Sequence, residues 1–261
     1  MTKVIGMDVS MNHGAMVELT DGELTNFWYY TDLAGSAGKS KRGHRMDPEI
    51  FKIKDKHVKG MRRLAWIEHF IDKQVLMPSM PEYVGIEDYA IRAEQGAHYL
   101  GEVGGIARIL CWFRGINMRL HDPTSVKMFA AHDGTCQKDA VIRAVDKRWD
   151  IDFSSLDQPP AQPTKKTPAP KQNMQTSEDL ADAYAIAQLV WTEVQLRLGL
   201  IKLSDLHEKE VRVFNRTTKT YPINLLDREW IVNPDGVPTP HNEPVCDVCG
   251  SRKCCLAKKK K

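Results

Sequence analysis

Four carboxylates, Asp8, Glu87, Asp179 and Asp182, are of the right type and placing to act together. Asp8 falls in KVIGMDVS and Glu87 in YVGIEDY, two short apolar runs that each end in an acid. Asp179 and Asp182 lie three apart in EDLADAYAIA, a helical pattern, so they share a helix face. If folding gathers all four, their like charges repel, and at least one stays protonated unless a cation enters. Magnesium suits such a cluster, because it takes oxygen ligands and keeps waters for chemistry, and manganese can substitute for it. Two such ions, ~3.5–4 Å apart, can activate a water and stabilise the leaving oxygen in phosphodiester cleavage.

Each acid also has an ordinary explanation. Asp8 could form a turn at a strand end. Glu87 and Asp88 could be an exposed pair, and Asp179 could complete a capping box with Thr176. Asp182 has no such alternative, since it lies past the first helical turn between small apolar residues.

The elements that must position these acids follow from periodicity. KVIGMDVS, NHGAMVEL and ELTNFWYYT form three strands of a meander, with a hairpin turn at Asp21-Gly22. Residues 33–60 lose apolar periodicity and are expected as a loop. Helical spacing returns from Met61 through Leu64, Ala65, Glu68 and Ile71. YVGIED is the next strand, GAHYLGEVGGIARILCWFRG a long helix, INMRLHD a strand and QKDAVIRAVDKRW a helix. The glycines of the long helix, Gly101, Gly104 and Gly105, suggest either close approach of another element or a helix boundary placed elsewhere. A proline-rich loop covers about 156–176, and a buried helix starts near Glu178. VRVFNRTTKTYPINL is expected as a small hairpin. Strands followed by alternating helix and strand indicate an α/β fold with a mixed sheet.

Composition narrows the function classes. A net charge of +3 over 261 residues gives no general polybasic character. The basic groups are concentrated instead: SRKCCLAKKKK at the end of the chain holds six and no acid. No apolar run approaches the ~18 residues of a membrane-spanning helix. Asp8 interrupts any signal-peptide core, so a cytoplasmic protein is expected.

With these residues placed, the sequence resembles the RuvC-type Holliday junction resolvases of the RNase H-like superfamily. The resemblance is carried by IGMDVS on the first strand, VGIEDY on the fourth, DPTSVKMFAAHDGTCQKDAV, and DLADAYAIA on the late helix, over about residues 3–195. It implies an RNase H-like mixed β-sheet flanked by helices, with a nuclease domain at 1–199 and a C-terminal extension at 200–261. It further implies Asp8, Glu87, Asp179 and Asp182 as magnesium ligands and Lys138 as a catalytic lysine. Lys127 and Lys138, eleven residues apart, match two lysines that this family keeps near its active site. Tyr89 lies where the family probes the junction, and an aromatic there can stack on exposed bases. Lys39, Lys41, Arg42 and Arg45 are candidate backbone contacts. The implied activity is cleavage of four-way or other branched DNA by a homodimer. Where the family has Asp-Pro-Gly, this chain has Asp8-Val9-Ser10, and its loops are long. A divergent, phage-encoded branch in an infected bacterial cell fits these departures.

Two further functions compete. A non-catalytic scaffold of the same fold would bind branched nucleic acid without cutting it. An actin-like phosphotransferase would need glycine-rich phosphate hairpins, for which His13-Gly14 is a thin substitute. The tail holds Cys246-x-x-Cys249, Cys254 and Cys255, with His241 upstream, a set able to complete a zinc site or to remain as free thiols.

Overall fold

A computed structural model describes residues 1–32, 43–88, 97–153 and 175–234. Strands β1 (Lys3–Val9), β2 (His13–Thr20) and β3 (Glu23–Thr31) form the expected antiparallel meander. Asp21 and Gly22 both take positive φ (50° and 91°), as a tight hairpin turn between right-twisted strands requires.

A short strand, β4 (Gly43–Arg45), pairs parallel with β3, and β5 (Tyr83–Glu87) and β6 (Asn117–His121) extend the other edge in parallel from β1. The order is β4-β3-β2-β1-β5-β6, a mixed sheet. Helices α1 (Pro48–Lys52), α2 (Lys56–Phe70), α3 (Met77–Ser79) and α4 (Ala97–Phe113) come next in the chain apart from β5, which lies between α3 and α4. α5 (Pro123–Ala131), α6 (Lys138–Trp149), α7 (Gln175–Arg197) and α8 (Glu208–Asn215) follow β6.

Strand alternation divides the apolar residues between two faces. Ile5, Met7 and Val9 of β1 join Leu64, Ile67 and Phe70 of α2 and Val103, Ala107 and Leu110 of α4. Val4, with Ala15, Val17 and Leu19 of β2, packs on Leu180, Ala183 and Ala187 of α7 and on Val126, Val141 and Val145 of α5 and α6. The sheet is therefore covered on both sides, and α7 lies directly on it.

That contact is set by two glycines paired in register, Gly6 of β1 and Gly85 of β5. A Cβ on Gly6 would come within 2.0 Å of the Ala183 carbonyl oxygen and 2.5 Å of the Ala187 nitrogen. A Cβ on Gly85 would meet Ile186 and Val190, each at 2.6 Å. Only hydrogen at both positions lets the helix backbone lie this close.

Several sequence expectations need correction. Residues 43–60 are not a loop, for they hold β4, α1 and the start of α2, with Met46 and Ile50 buried. α2 begins at Lys56 rather than Met61, its first turn capped by Asp55, which accepts from the amides of His57 and Val58. Those first residues are mostly exposed and polar, so apolar spacing carries no trace of them. Among the described residues no neighbour lies within 4 Å of a Cβ built on Gly105, and only the end of Arg108 approaches Gly104, so close packing does not explain these two glycines of α4.

The expected hairpin at VRVFNRTTKTYPINL is also absent. Its first five residues end α8, which opens with a capping box between His207 and Glu210. Val213 and Phe214 are adjacent in sequence yet both pack against Phe129, Leu189 and Leu225. The alternation V-x-V suggested a strand; burial against α5 and α7 selects the helix. Among the described residues no helix is long and apolar enough to cross a membrane.

Candidate active site at the ends of β1 and β5

Asp8 and Glu87 follow from the same two glycines. Each lies two residues beyond its glycine, so each points to the α7 side of the sheet. The printed register runs Gly6↔Gly85 and Met7↔Ile86, which makes Asp8 and Glu87 the next neighbours across strands ~4.8 Å apart.

Helix geometry brings the other pair to them. Ala187, Ala183 and Asp179 form one i, i+4 row, and Val190, Ile186 and Asp182 form another. The first row lies over Gly6 and the second over Gly85. Four helical residues rise ~6 Å and two strand residues ~6.6 Å, so one step along each row matches one step from glycine to acid. Asp179 is thereby carried toward β1 and Asp182 toward β5.

The four acids lie within electrostatic reach of one another. Burial raises the Asp8 carboxyl well above its ordinary range, and the charges of Glu87, Asp179 and Asp182 raise it further against Lys138. Asp8 keeps some solvent-accessible surface, yet protein packed around its carboxylate makes desolvation the leading cause. Glu87 is pushed up to about 7, by burial first and then by Asp182, with Lys138 and Lys127 opposing. Asp182 is pushed up to about 6, again chiefly by burial. Asp179 and Asp182 are only 3% and 7% exposed, so their charges are held in a poorly hydrated place.

Two cationic side chains stand against this negative charge. Lys138 opens α6 and places Nζ 3.9 Å from Asp179 and 3.8 Å from Glu178. Its ammonium is held above the usual lysine range by Asp8, Asp179, Asp182 and Glu178, although burial acts the other way. Lys127, on α5, donates to the Cys136 carbonyl at 3.0 Å and still lowers Glu87 and Asp182.

His13 is a site residue that the acid pattern did not reveal. Its Nδ1 lies 2.7 Å from Asp179 Oδ2. The β1–β2 turn holds it there: Ser10 donates to the His13 carbonyl at 2.7 Å, and Tyr30 donates to the Ser10 carbonyl at 2.5 Å. A clue was present in the sequence, because a hairpin so soon after Asp8 must return its first residue to the same sheet end. The capping-box reading of Asp179 fails, since Thr176 already lies inside α7.

Among the described residues no three His, Cys, Asp or Glu side chains are gathered closely enough to enclose one metal ion. The acids share a field without converging on a point, and Asp179 is engaged by His13 and Lys138. The donor set nevertheless fits a hard divalent cation: it is all oxygen and rich in charge, and burial followed by the neighbouring acids raises the carboxyls of Asp8, Glu87 and Asp182.

Residues outside the acidic group are placed elsewhere. Asp88 accepts from the Tyr221 hydroxyl instead of forming an exposed pair with Glu87. His132 stacks on His207 with ring centroids 3.9 Å apart and reaches Glu210 at 3.3 Å, a junction of α5 and α8. Arg45 ends β4. Lys39, Lys41, Arg42, Tyr89, His241, Cys246, Cys249, Cys254 and Cys255 lie outside the described residues.

The raised carboxyls make a signed prediction about stability. A carboxyl whose pKa is higher in the folded chain costs nothing while both states are protonated, below about pH 4. The folded state then loses ground as pH rises through the folded values, about 6 for Asp182 and about 7 for Glu87. In chelator, the melting temperature should therefore fall by several degrees between pH 5 and pH 8. Magnesium at pH 8 should reverse much of that fall. A melting temperature flat across this range in chelator would show that the folded chain does not hold these carboxyls protonated.

No family model matches the chain, and no curated protein sequence matches it. Among solved structures, the T. thermophilus RuvC in complex with a Holliday junction substrate is 18% identical, with a TM-score of 0.47. A second Thermus thermophilus RuvC structure is 20% identical, with a TM-score of 0.44. Both alignments cover 77% of this chain and 99% of the other.

Proposed function

We propose that this chain is a magnesium-dependent endonuclease that cuts branched DNA, with four-way junctions as its preferred substrate. The observation that supports the reading is that four carboxylates from β1, β5 and α7 lie within electrostatic reach of one another in a partly desolvated part of the fold. A protein gains no stability from such crowding, so a ligand that neutralises it is the physical reason to keep it.

In this reading Asp8, Glu87, Asp179 and Asp182 hold the cations. A divalent cation bound there supplies Lewis acidity and a water of lowered pKa. Lys138 is positioned to carry charge on the scissile phosphate once a cation takes its place among the acids, and Lys127 reinforces it from α5. His13 holds Asp179 in place from the β1–β2 turn. The reading includes a homodimer, so that two sites nick opposing strands of one junction.

One observation favours a second reading, a non-catalytic scaffold of the same fold. Asp179 already has His13 and Lys138 as partners, so that among the described residues no three acids stand ready to hold one metal ion. A single experiment separates the two. Labelled four-way junctions, forks and linear duplexes are incubated with the protein in magnesium, in manganese and in chelator, and the products are mapped to the nucleotide. The nuclease reading expects metal-dependent nicks near the branch point and little cutting of linear duplex. Tight junction binding without nicks in either metal would establish the scaffold.

A further inference from the structure

The start of α2 carries a concentration of positive charge that the acidic group does not account for. From Lys52 to Arg63 the chain holds six lysines and arginines and a single acid, Asp55. That acid is engaged in capping α2, where its Oδ1 accepts from the amides of His57 and Val58. Lys52 pairs with Glu49 and Arg63 with Asp32. Among the described residues, no acid lies within ion-pair distance of Lys54, Lys56, Lys59 or Arg62. Lys54, Lys56 and Arg62 are exposed and Lys59 is half-buried.

A charged run on a helix is ordinarily the solvated face, opposite the core. Here the placing is inverted. Helical spacing sets Lys56, Gly60 and Arg63 on the side of α2 that buries Ile67 farther along. The side turned away from the core holds Val58 and Met61 instead, 50% and 65% exposed. No residue of α2 before Leu64 is buried, and among the described residues nothing lies within 4 Å of a Cβ built on Gly60. The inner side of the helix therefore runs past the core and becomes cationic where it does so. The first turn has no acid, so its lysines also oppose the positive end of the helix dipole. Charge placed against the dipole on an unpacked turn costs stability, and an anionic partner is the physical reason to keep it.

Position names that partner. Arg63 braces α2 against the sheet end that holds Asp8, donating to Asn12 of the β1–β2 turn at 2.6 Å and to Asp32, just past β3, at 3.1 Å. The same turn sets His13 on Asp179. From Lys56 to Arg63 the helix spans ~10 Å, the length of about three nucleotide steps in a duplex strand. We infer that Lys54, Lys56 and Lys59 form a surface for the sugar–phosphate backbone of the duplex arm beside the bond being cut. The inference rests on the nuclease reading for the identity of the substrate. Contacts of this kind hold and orient an arm without reading its bases, so the surface supplies affinity rather than sequence preference.

The test measures binding of a labelled four-way junction to the full chain by anisotropy, in chelator and over a range of salt. Three proteins are compared: wild type, the double variant Lys56→Gln with Lys59→Gln, and a control, Lys147→Gln with Lys219→Gln. The control removes the same charge from two other exposed positions, one on α6 and one after α8. The α2 variant should bind about tenfold or more weakly, and its plot of log affinity against log salt should be shallower by about two. Its melting temperature should match or exceed that of wild type, since the lysines oppose the dipole. The control should keep the wild-type slope. An unchanged slope in the α2 variant, or an equal change in the control, would overturn the assignment. Nicking is followed separately, in magnesium and in manganese, at saturating protein. A shallower slope without nicks in any of the proteins upholds the surface and sinks the nuclease; nicks with an unchanged slope do the reverse.

Discussion

Asp8→Asn is expected to reduce junction cleavage by about a thousandfold or more while leaving junction binding within a few-fold of wild type. Asp8 is the acid on which the others press, with Glu87, Asp179 and Asp182 all raising it. Asparagine keeps the shape and removes the charge, so a divalent cation loses a ligand at the centre of the group. The same substitution should raise the melting temperature in chelator, because it relieves a buried repulsion, at about 2–4 °C for each kcal/mol recovered. These two changes in opposite directions distinguish loss of function from loss of fold. Cleavage within tenfold of wild type, measured under single-turnover conditions in magnesium, would remove Asp8 from the site.

Gly6→Ala is expected to destabilise the chain by about 3 kcal/mol or more, enough to lower the melting temperature by ~6–12 °C or prevent folding. The added methyl would lie 2.0 Å from the Ala183 oxygen and 2.5 Å from the Ala187 nitrogen, and both of those are helix backbone. A side chain could turn aside; α7 can only retreat as a unit. That retreat would take Asp179 and Asp182 away from Asp8, so any folded variant should also cleave poorly. Gly60→Ala is the control: it lies within α2 with nothing within 4 Å of its added Cβ, and alanine there should stabilise by about 1 kcal/mol. Equal melting temperatures for Gly6→Ala and wild type would mean that the helix does not rest on β1 as described.

The parts of the fold that were legible in the sequence are those with a strong local signal. β1 to β3 are short, largely buried apolar runs separated by turn residues such as Asp21-Gly22, and the helix over DLADAYAIA is buried at every residue from Leu180 to Val190. Elements held mainly by long-range contact were missed. α1 and the start of α2 have few apolar residues and depend on the caps Asp47 and Asp55. α8 looked like a strand because two valines alternate, and only the apolar surface of α5 and α7 makes a helix the better way to bury Val213 and Phe214.

The candidate site divides in the same way. By itself the sequence determined which acids are available, that two of them share a helix face, and that two others end strands, since each of these is a matter of short-range spacing. Only the tertiary structure decided that Gly6 and Gly85 pair in register under α7, bringing the four acids into one field. It alone placed His13 on Asp179, across 166 residues of chain, and laid the segment after α8 against the β6 edge. No local period encodes such meetings, because they depend on how closely two backbones can approach once everything between them has packed.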